Sequence, residues 1–236
     1  MTTSPQGTPI DGAVALVTGG HRGFGRALVD ELLARGATKV YAASRSPQPR
    51  RDERIVPIVL DVTDEASVTA AADAAADVAI VVNNAGIALG TPVLDAPIDR
   101  MREELETNLF GIVRVTRAFA PVLATQPRSA LVNVLSVLSW LSMGTGYEVS
   151  KAAAWSATNS IRVRLRDQGT TVTALHVAYM DTEMTAGIQA PKADPRNIAR
   201  QAADAIASGA LEVLADETTR TVKSQLSQDI SALYAA

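Results

Sequence analysis

Short apolar runs recur along this chain, each followed by a longer amphipathic stretch. That alternation constrains the fold more than any single motif does. AVALVT (13–18), KVYAAS (39–44), IVPIVL (55–60), VAIVVN (78–83), ALVNVLS (130–136), TVTALHVAY (171–179) and LEVLA (211–215) read as strands. They are nearly continuous apolar runs, the pattern of strands covered on both faces. Between them, residues 25–36, 64–76, 98–125, 146–168 and 195–209 carry helical spacing. Pro121 lies inside the longest of these, where a proline kinks a helix or ends it early. Residues 217–232 read as a helical surface segment. The alternation predicts an α/β fold, a doubly wound and mostly parallel sheet of about seven strands with helices on both faces. No repeat, low-complexity tract or linker divides the 236 residues. A single domain over 13–236 is expected, preceded by a flexible N-terminal tail, 1–12.

Composition removes several function classes. A net charge of −3 gives no basic excess for nucleic acid or an anionic membrane surface, and neither is expected as a partner. There are no cysteines, hence no disulfides, thiolate metal ligands or cysteine nucleophile. Two histidines, His21 and His176, supply a metal site or a Ser-His-Asp triad poorly, and no metal is expected. The start, MTTSPQGTPIDG, lacks the charged-then-apolar build of a signal peptide, and no run reaches the roughly 18 apolar residues of a membrane span. The expectation is a cytoplasmic protein.

The first strand runs into TGGHRGFG (18–25) and then a helix. Glycines at a strand-to-helix turn let backbone N–H groups approach a pyrophosphate at a helix N-terminus, which marks a Rossmann-type dinucleotide site. The spacing of Gly19, Gly23 and Gly25 is G-x-x-x-G-x-G, and a tight βα turn without ligand is the plainer reading. At the end of the second strand, AASRS, dinucleotide folds often place an acid for the ribose hydroxyls. Here Ser44 fills that place, Arg45 follows, and Arg22 lies in the glycine loop. An acid repels a 2′-phosphate, whereas arginine offers it a planar fork of donors. The pattern favours NADP(H), with NAD(H) possible; the plainer reading is two solvated surface charges. Asp61 follows the third strand and either accepts from an adenine amine or caps the helix starting near Asp64. NNAG (83–86) ends the fourth strand, at the edge where such sheets bind ligands.

GTGYEVSK (144–151) carries two signals at once. Thr145-x-x-Glu148 is a capping box that starts a helix. Tyr147 and Lys151 stand four apart on that helix, one above the other, as an acid–base pair requires.

With TGGHRGFG, NNAG, ETNLFG, NVLS and YEVSK in this order, the chain over 13–215 resembles a short-chain dehydrogenase/reductase. The resemblance implies a nicotinamide cofactor and the catalytic set Asn108, Ser136, Tyr147 and Lys151. Tyr147 would protonate a carbonyl oxygen in reduction or act as base in oxidation. A free tyrosine titrates near pH 10, and a nearby ammonium together with the oxidised nicotinamide would lower that value. Lys151 would supply the ammonium and hold the nicotinamide ribose. Ser136 would polarise the carbonyl, with Ser139 or Ser142 as alternative hydroxyls, and Asn108 would hold a water linking Lys151 to solvent. Gly19, Arg22, Gly23, Phe24, Gly25, Ser44, Arg45, Asp61, Val62, Asn84, Ala85, Gly86, Tyr147, Lys151 and Thr182 would bind the cofactor.

Two features depart from the family pattern. Ala178-Tyr179 stand where Pro-Gly usually ends the sixth strand, and Ser136 and Tyr147 are 11 apart, about two fewer than is common. Residues 183–195 occupy the place of the family's mobile substrate lid. Leu89, Val93, Trp140, Leu141, Met143 and Met184 are candidate pocket residues, or core and subunit contacts. Their apolar character points to a hydrophobic carbonyl or alcohol. The resemblance implies a homodimer or homotetramer through the fourth and fifth helices. The function expected is an NADP(H)-dependent oxidoreductase interconverting a carbonyl and a hydroxyl on a small apolar substrate. The alternatives are an NAD(H)-preferring dehydrogenase, or a non-catalytic dinucleotide sensor or interaction protein on the same fold.

Overall fold

The computed structural model of the protein describes residues 7–234. Seven strands form one sheet: β1 (Val14–Thr18), β2 (Lys39–Ser44), β3 (Ile55–Val59), β4 (Ile80–Asn83), β5 (Ser129–Val134), β6 (Thr170–His176) and β7 (Glu212–Leu214). Their order is β3-β2-β1-β4-β5-β6-β7. Every pairing is parallel, so the sheet is wholly parallel rather than mostly so. The strand order reverses between β1 and β4, and the crevice beyond their carboxyl ends is the ligand position in such sheets.

Successive strand residues feed opposite faces, as a period of two demands. Ala15, Val17, Ile80, Val82 and Val132 point to a core under α1 (Gly23–Ala34) and α6 (Pro195–Ser208). Leu16, Val81, Leu131 and Val172 point to a second core. That core lies beneath α2 (Glu65–Ala74), α4 (Gly111–Ala124) and α5 (Gly146–Leu165). Both faces of the central strands are therefore covered, which is why they read as unbroken apolar runs, while the edge strand β3 leaves Pro57 and Val59 exposed.

The expected long helix over 98–125 is present, but it is interrupted differently. α3 (Ile98–Leu105) passes through a π-helical turn, Glu106–Phe110, into α4. Pro121 neither ends nor visibly breaks α4, which continues to Ala124. The π-turn adds a residue to one turn and changes the direction of its side chains, a device common at functional sites.

The strands expected to reach Ser136 and Tyr179 stop at Val134 and His176. Past those ends the two segments stay joined by main-chain bonds, Leu135 N–H to the Leu175 carbonyl and Val137 N–H to the Val177 carbonyl. The chain ends in α7 (Glu217–Gln225) and α8 (Ser231–Tyr234). Of the expected tail, residues 1–6 lie outside the described residues. Within the rest, Thr8 and Ile10 are buried, and the Thr8 N–H donates to the Ile206 carbonyl at 2.9 Å.

Candidate active site

The glycine loop is a backbone cradle. Gly19 and Gly23 have φ of +67° and +52°, which only glycine adopts without strain. A Cβ on Gly25 would lie 2.1 Å from the Gly19 carbonyl oxygen, so the loop closes only with hydrogen there. Gly20, which the sequence reading passed over, is as tight: its Cβ would meet the Ala42 Cα at 3.0 Å. The helix that follows, α1, has neither a side-chain cap nor an acidic residue in its first turn. By contrast, Asp64, Asp194 and Asp216 cap α2, α6 and α7. Free N–H groups at an uncapped helix start attract a phosphate.

Around that cradle the remaining expected cofactor residues take definite places. Asn84 ties the two strand ends together, its Nδ2 donating to the Thr18 carbonyl at 2.9 Å. The N–H groups of Asn84 and Ala85 both donate to the Thr18 hydroxyl at 2.9 Å. Phe24 and Val62 are buried, so only their main chain can face a ligand. Asp61 accepts from the N–H and hydroxyl of Thr63 at 2.9 and 2.7 Å, and Asp64, not Asp61, caps α2. Those bonds hold the Asp61 carboxyl below its usual range, with help from the nearby Arg45 charge. Thr182 reaches the loop from the far side, with its side chain 3.7 Å from a Cβ placed on Gly23.

The two arginines have different neighbours, and Arg45 lies near enough to Asp61 for their charges to interact. Arg22 points to the segment after Thr182, where it pairs with Glu183 at 2.7 Å in an exposed contact. A third arginine, Arg50, comes to the loop instead, donating to the His21 carbonyl at 2.5 Å. Nothing in a bare arginine six residues past the strand signals this. Two buried polar atoms at this end, Ser44 Oγ and His21 Nε2, have no hydrogen-bond partner among the described residues. Buried polar groups are normally satisfied. A glycine cradle, an uncapped helix and orphaned polar atoms fit the phosphates and ribose of a dinucleotide.

The catalytic candidates meet at the carboxyl ends of β4 and β5. The capping box of α5 forms as expected, with Glu148 accepting from the Thr145 N–H at 2.5 Å. It sets Tyr147 in the first turn. Ser136 is the residue before a 3₁₀ turn, Val137–Ser139, and its hydroxyl accepts from the Leu138 N–H at 3.1 Å. The Ser136 side chain lies near enough to the Tyr147 phenol to oppose the upward shift of its pKa, so the 11-residue spacing still brings the two side chains together. Of the alternative hydroxyls, Ser139 is buried in closing the turn and Ser142 is exposed, its N–H donating to the Tyr234 hydroxyl.

Asn108 sits in the π-turn and is fully buried. Its oxygen accepts from the Ile87 N–H at 2.9 Å. Its nitrogen donates to the Ile87 carbonyl and the Ser150 hydroxyl at 2.8 and 2.9 Å. Asn108 thus pins the segment that follows NNAG. Glu104, one turn earlier and also fully buried, accepts from the Leu89 N–H at 2.7 Å and pins the same segment again. Lys151 is buried and donates to the Val134 carbonyl at 2.9 Å, with its ammonium 5.7 Å from the centre of the Tyr147 ring. A Cβ on Gly86 would lie 3.1 Å from Asn108 Oδ1 and 3.8 Å from Lys151 Nζ, so glycine here opens the space where all three meet.

The electrostatics correct one expectation. The phenol of Tyr147 is not lowered in the protein alone. Burial pushes it up to about 12, the Ser136 hydrogen bond opposes this, and the Glu104 and Glu148 charges add to it. Burial also pulls Lys151 down to about 8. Desolvation outweighs pairing because the ammonium turns to a carbonyl and not to the phenol.

The candidate pocket residues divide. Val93, Met143 and Met184 are exposed around the crevice. The Tyr179 hydroxyl lies 3.6 Å from the Met143 sulfur, so the residue in the family's glycine place ties the segment after β6 to the 137–145 loop. Trp140 turns the other way: it stacks on His176 at 3.9 Å and is not a pocket wall. Among the described residues no helix is long and apolar enough to cross a membrane.

The sequence pattern of the short chain dehydrogenases matches residues 13–193. The chain is 32% identical over 195 residues to 1-deoxy-11-beta-hydroxypentalenate dehydrogenase of Streptomyces exfoliatus, covering 75% of this chain and 71% of that protein. A short chain dehydrogenase from Burkholderia cenocepacia J2315, solved in complex with NADP, has a TM-score of 0.91 and 35% identity and covers 97% of this chain and 98% of its own. A Burkholderia phymatum short chain dehydrogenase/reductase solved with NAD shares the fold at TM-score 0.81 and 23% identity, over 93% of each chain. Pattern, identity and architecture agree: the chain belongs to the short-chain dehydrogenase/reductase family, oxidoreductases that bind nicotinamide dinucleotides and act on small molecules.

Proposed function

We propose that the protein is an NADP(H)-dependent oxidoreductase of the cytoplasm that interconverts a carbonyl and a hydroxyl on a small apolar substrate, with Tyr147 as general acid/base. The observation that carries the reading is the meeting of Tyr147, Ser136 and Lys151 beside a glycine cradle that a Cβ would fill. The bound cofactor supplies the hydride. The rest of the chemistry falls to side chains.

In reduction, Tyr147 gives its phenolic proton to the carbonyl oxygen. A phenol pushed up to about 12 is fully protonated at neutral pH, which suits an acid. Ser136, beside that phenol, donates to the same oxygen and polarises it. In oxidation the phenolate is needed. Lys151, brought down to about 8, is poised to gain or lose its own proton near working pH and to support the phenolate when charged. Asn108 holds the 86–89 segment against the site, and a water between it and Lys151 would complete the proton path.

Gly19, Gly23, Phe24 and Gly25 offer main chain to the pyrophosphate. Ser44, Asp61 and Val62 face the adenosine, and Asn84, Ala85, Gly86, Lys151 and Thr182 face the nicotinamide riboside. Ser44 in the acid's place, with Arg45 beside it, supports a 2′-phosphate, as does the NADP in a relative that is 35% identical. Arg22 must leave Glu183 to take part. Exposed Val149 and Val163 on α5 and Phe110 before α4 support association of copies into a dimer or tetramer through those helices.

The test is NADPH oxidation across aldehydes, ketones and quinones. Tyr147→Phe is expected to lose turnover by about 10²–10⁴-fold with NADPH binding intact. Retained turnover in that variant would remove Tyr147 from the chemistry. Uniform silence of the wild type despite tight NADPH binding would favour a sensor, and tighter NADH binding would reverse the cofactor preference.

A further inference from the structure

Behind Ser136 lies a group that this reaction leaves unused. His176, the last residue of β6, is fully buried. Its Nδ1 stands 3.0 Å from the Ser136 carbonyl oxygen. A carbonyl only accepts, so Nδ1 carries the proton and Nε2 is bare in the neutral ring. Nε2 has no hydrogen-bond partner among the described residues, and Glu212 Oε1 is 3.9 Å away. Burial holds the ring neutral by pulling its pKa down to about 4, with Lys223 and Lys151 acting in the same direction and the Ser136 carbonyl and Glu212 acting against it.

The ring is also held in place from one face. Trp140, which directly follows the 3₁₀ turn begun by Ser136, stacks on it with centroids 3.9 Å apart and planes at 23°. Trp155 of α5 meets Trp140 edge-on at 5.9 Å. Lys223 of α7 lies over the Trp140 ring at 4.7 Å and pairs with Glu212 at 2.8 Å. Main-chain bonds tie the residues on either side of Ser136 to those on either side of His176: Leu135 N–H to Leu175 O at 2.7 Å and Val137 N–H to Val177 O at 3.0 Å. The imidazole ties the residue between them.

We propose that His176 is a positioning residue for Ser136: clamped against Trp140, its Nδ1–H fixes the Ser136 carbonyl and so aims the Ser136 hydroxyl at the Tyr147 phenol and the substrate oxygen. The proposal rests on the reading of Ser136 as the polarising hydroxyl. It separates the two ring nitrogens, because only Nδ1 matters.

Two substitutions exploit that difference. His176→Asn places an amide N–H near the Nδ1 position, and His176→Gln places it near Nε2. Each is compared with wild type by NADPH binding, by thermal unfolding and by kcat and KM on a reduced carbonyl. Each is also compared by ultraviolet titration of Tyr147 with NADP⁺ bound, read against the same protein carrying Tyr147→Phe. His176→Gln is expected to lose about tenfold in kcat with NADPH affinity unchanged. It should also raise the Tyr147 titration by about half a unit as the Ser136 bond loosens. His176→Asn is expected to keep both near wild type even if its melting temperature falls. If His176→Gln does not fold, His176→Leu takes its place.

Equal behaviour of the Asn and Gln variants, with kcat and titration following melting temperature, would overturn the proposal in favour of a packing role alone. Wild-type silence on every carbonyl would count against the oxidoreductase reading, and the Tyr147 titration would still decide the role of His176.

Discussion

The glycine loop after β1 and the serine–tyrosine site after β5 sit on the same edge of the same sheet, yet they are made of different material. The glycine end is backbone: positive φ at Gly19 and Gly23, no room for a Cβ at Gly25, and charges such as Arg22 that are mostly in solvent. The catalytic end is buried side chain. Asn83 Nδ2 donates to Asn133 Oδ1 at 2.9 Å, and Asn133 Nδ2 donates to Thr158 Oγ1 at 2.9 Å, which links β4, β5 and α5. Asn108, Ser136, Lys151, Glu104 and His176 are buried around that link. One end recognises by leaving space for a ligand's charge. The other end works by desolvating groups whose protonation then becomes adjustable. Volume should therefore decide tolerance at the first end, and hydrogen bonding and pH at the second.

The largest effect expected is at the glycine end. Gly25→Ala puts a methyl 2.1 Å from a backbone oxygen that has nowhere to go. Overpacking of this kind costs about 1–3 kcal/mol or more, and NADPH binding should be lost along with it; fluorescence titration and thermal unfolding measure both. Normal binding would mean that the cradle is softer than its geometry.

Next comes Asn133→Leu, similar in size but with two hydrogen bonds removed. It leaves the Asn83 amide only its 3.5 Å bond to the Thr116 hydroxyl and the Thr158 hydroxyl only its 2.7 Å bond to the Ala154 carbonyl, for a cost of about 2 kcal/mol. A urea midpoint within error of wild type would show that the link does not hold the catalytic end together.

The pH response separates the two ends a third way. His176 has a folded pKa of about 4, below the unfolded value of 6.5. Between those values the unfolded chain binds more protons, so stability falls as pH drops from about 6.5 toward 4, by up to about 3 kcal/mol. Unfolding midpoints at both ends of that window measure the slope. His176→Asn should flatten it, and an unchanged slope would assign the acid sensitivity elsewhere.

The smallest effect belongs to Arg22→Ala. Its pair with Glu183 is exposed on both sides, so stability should change by less than about 0.5 kcal/mol. NADPH affinity should fall several-fold with NADH affinity unchanged. An equal fall for both would move Arg22 off the 2′-phosphate.

Much of this was legible beforehand. β2 spans the expected residues, and the other strands end within a few of theirs. The capping box at Thr145 and Glu148 forms as read. What was missed shares a physical character. The π-turn that brings Asn108 inward leaves no mark in a helical pattern, because one extra residue in one turn barely alters the spacing of apolar positions. Arg50 reaches the glycine loop, and Trp140 leaves the expected pocket for His176, through contacts between residues far apart in sequence.

The sequence by itself determined the strand–helix alternation, the glycine turn and the Tyr147–Lys151 stack, because each depends on residues within a turn or two of one another. Only the tertiary structure decided that Ser136 reaches Tyr147 despite the short loop, that Arg22 faces Glu183, and that His176 stands behind the serine. It also decided the protonation of the site. Whether a phenol is pulled down by an ammonium or pushed up by burial depends on how much water both have lost and where each donor points, and those quantities exist only once distant segments have packed together.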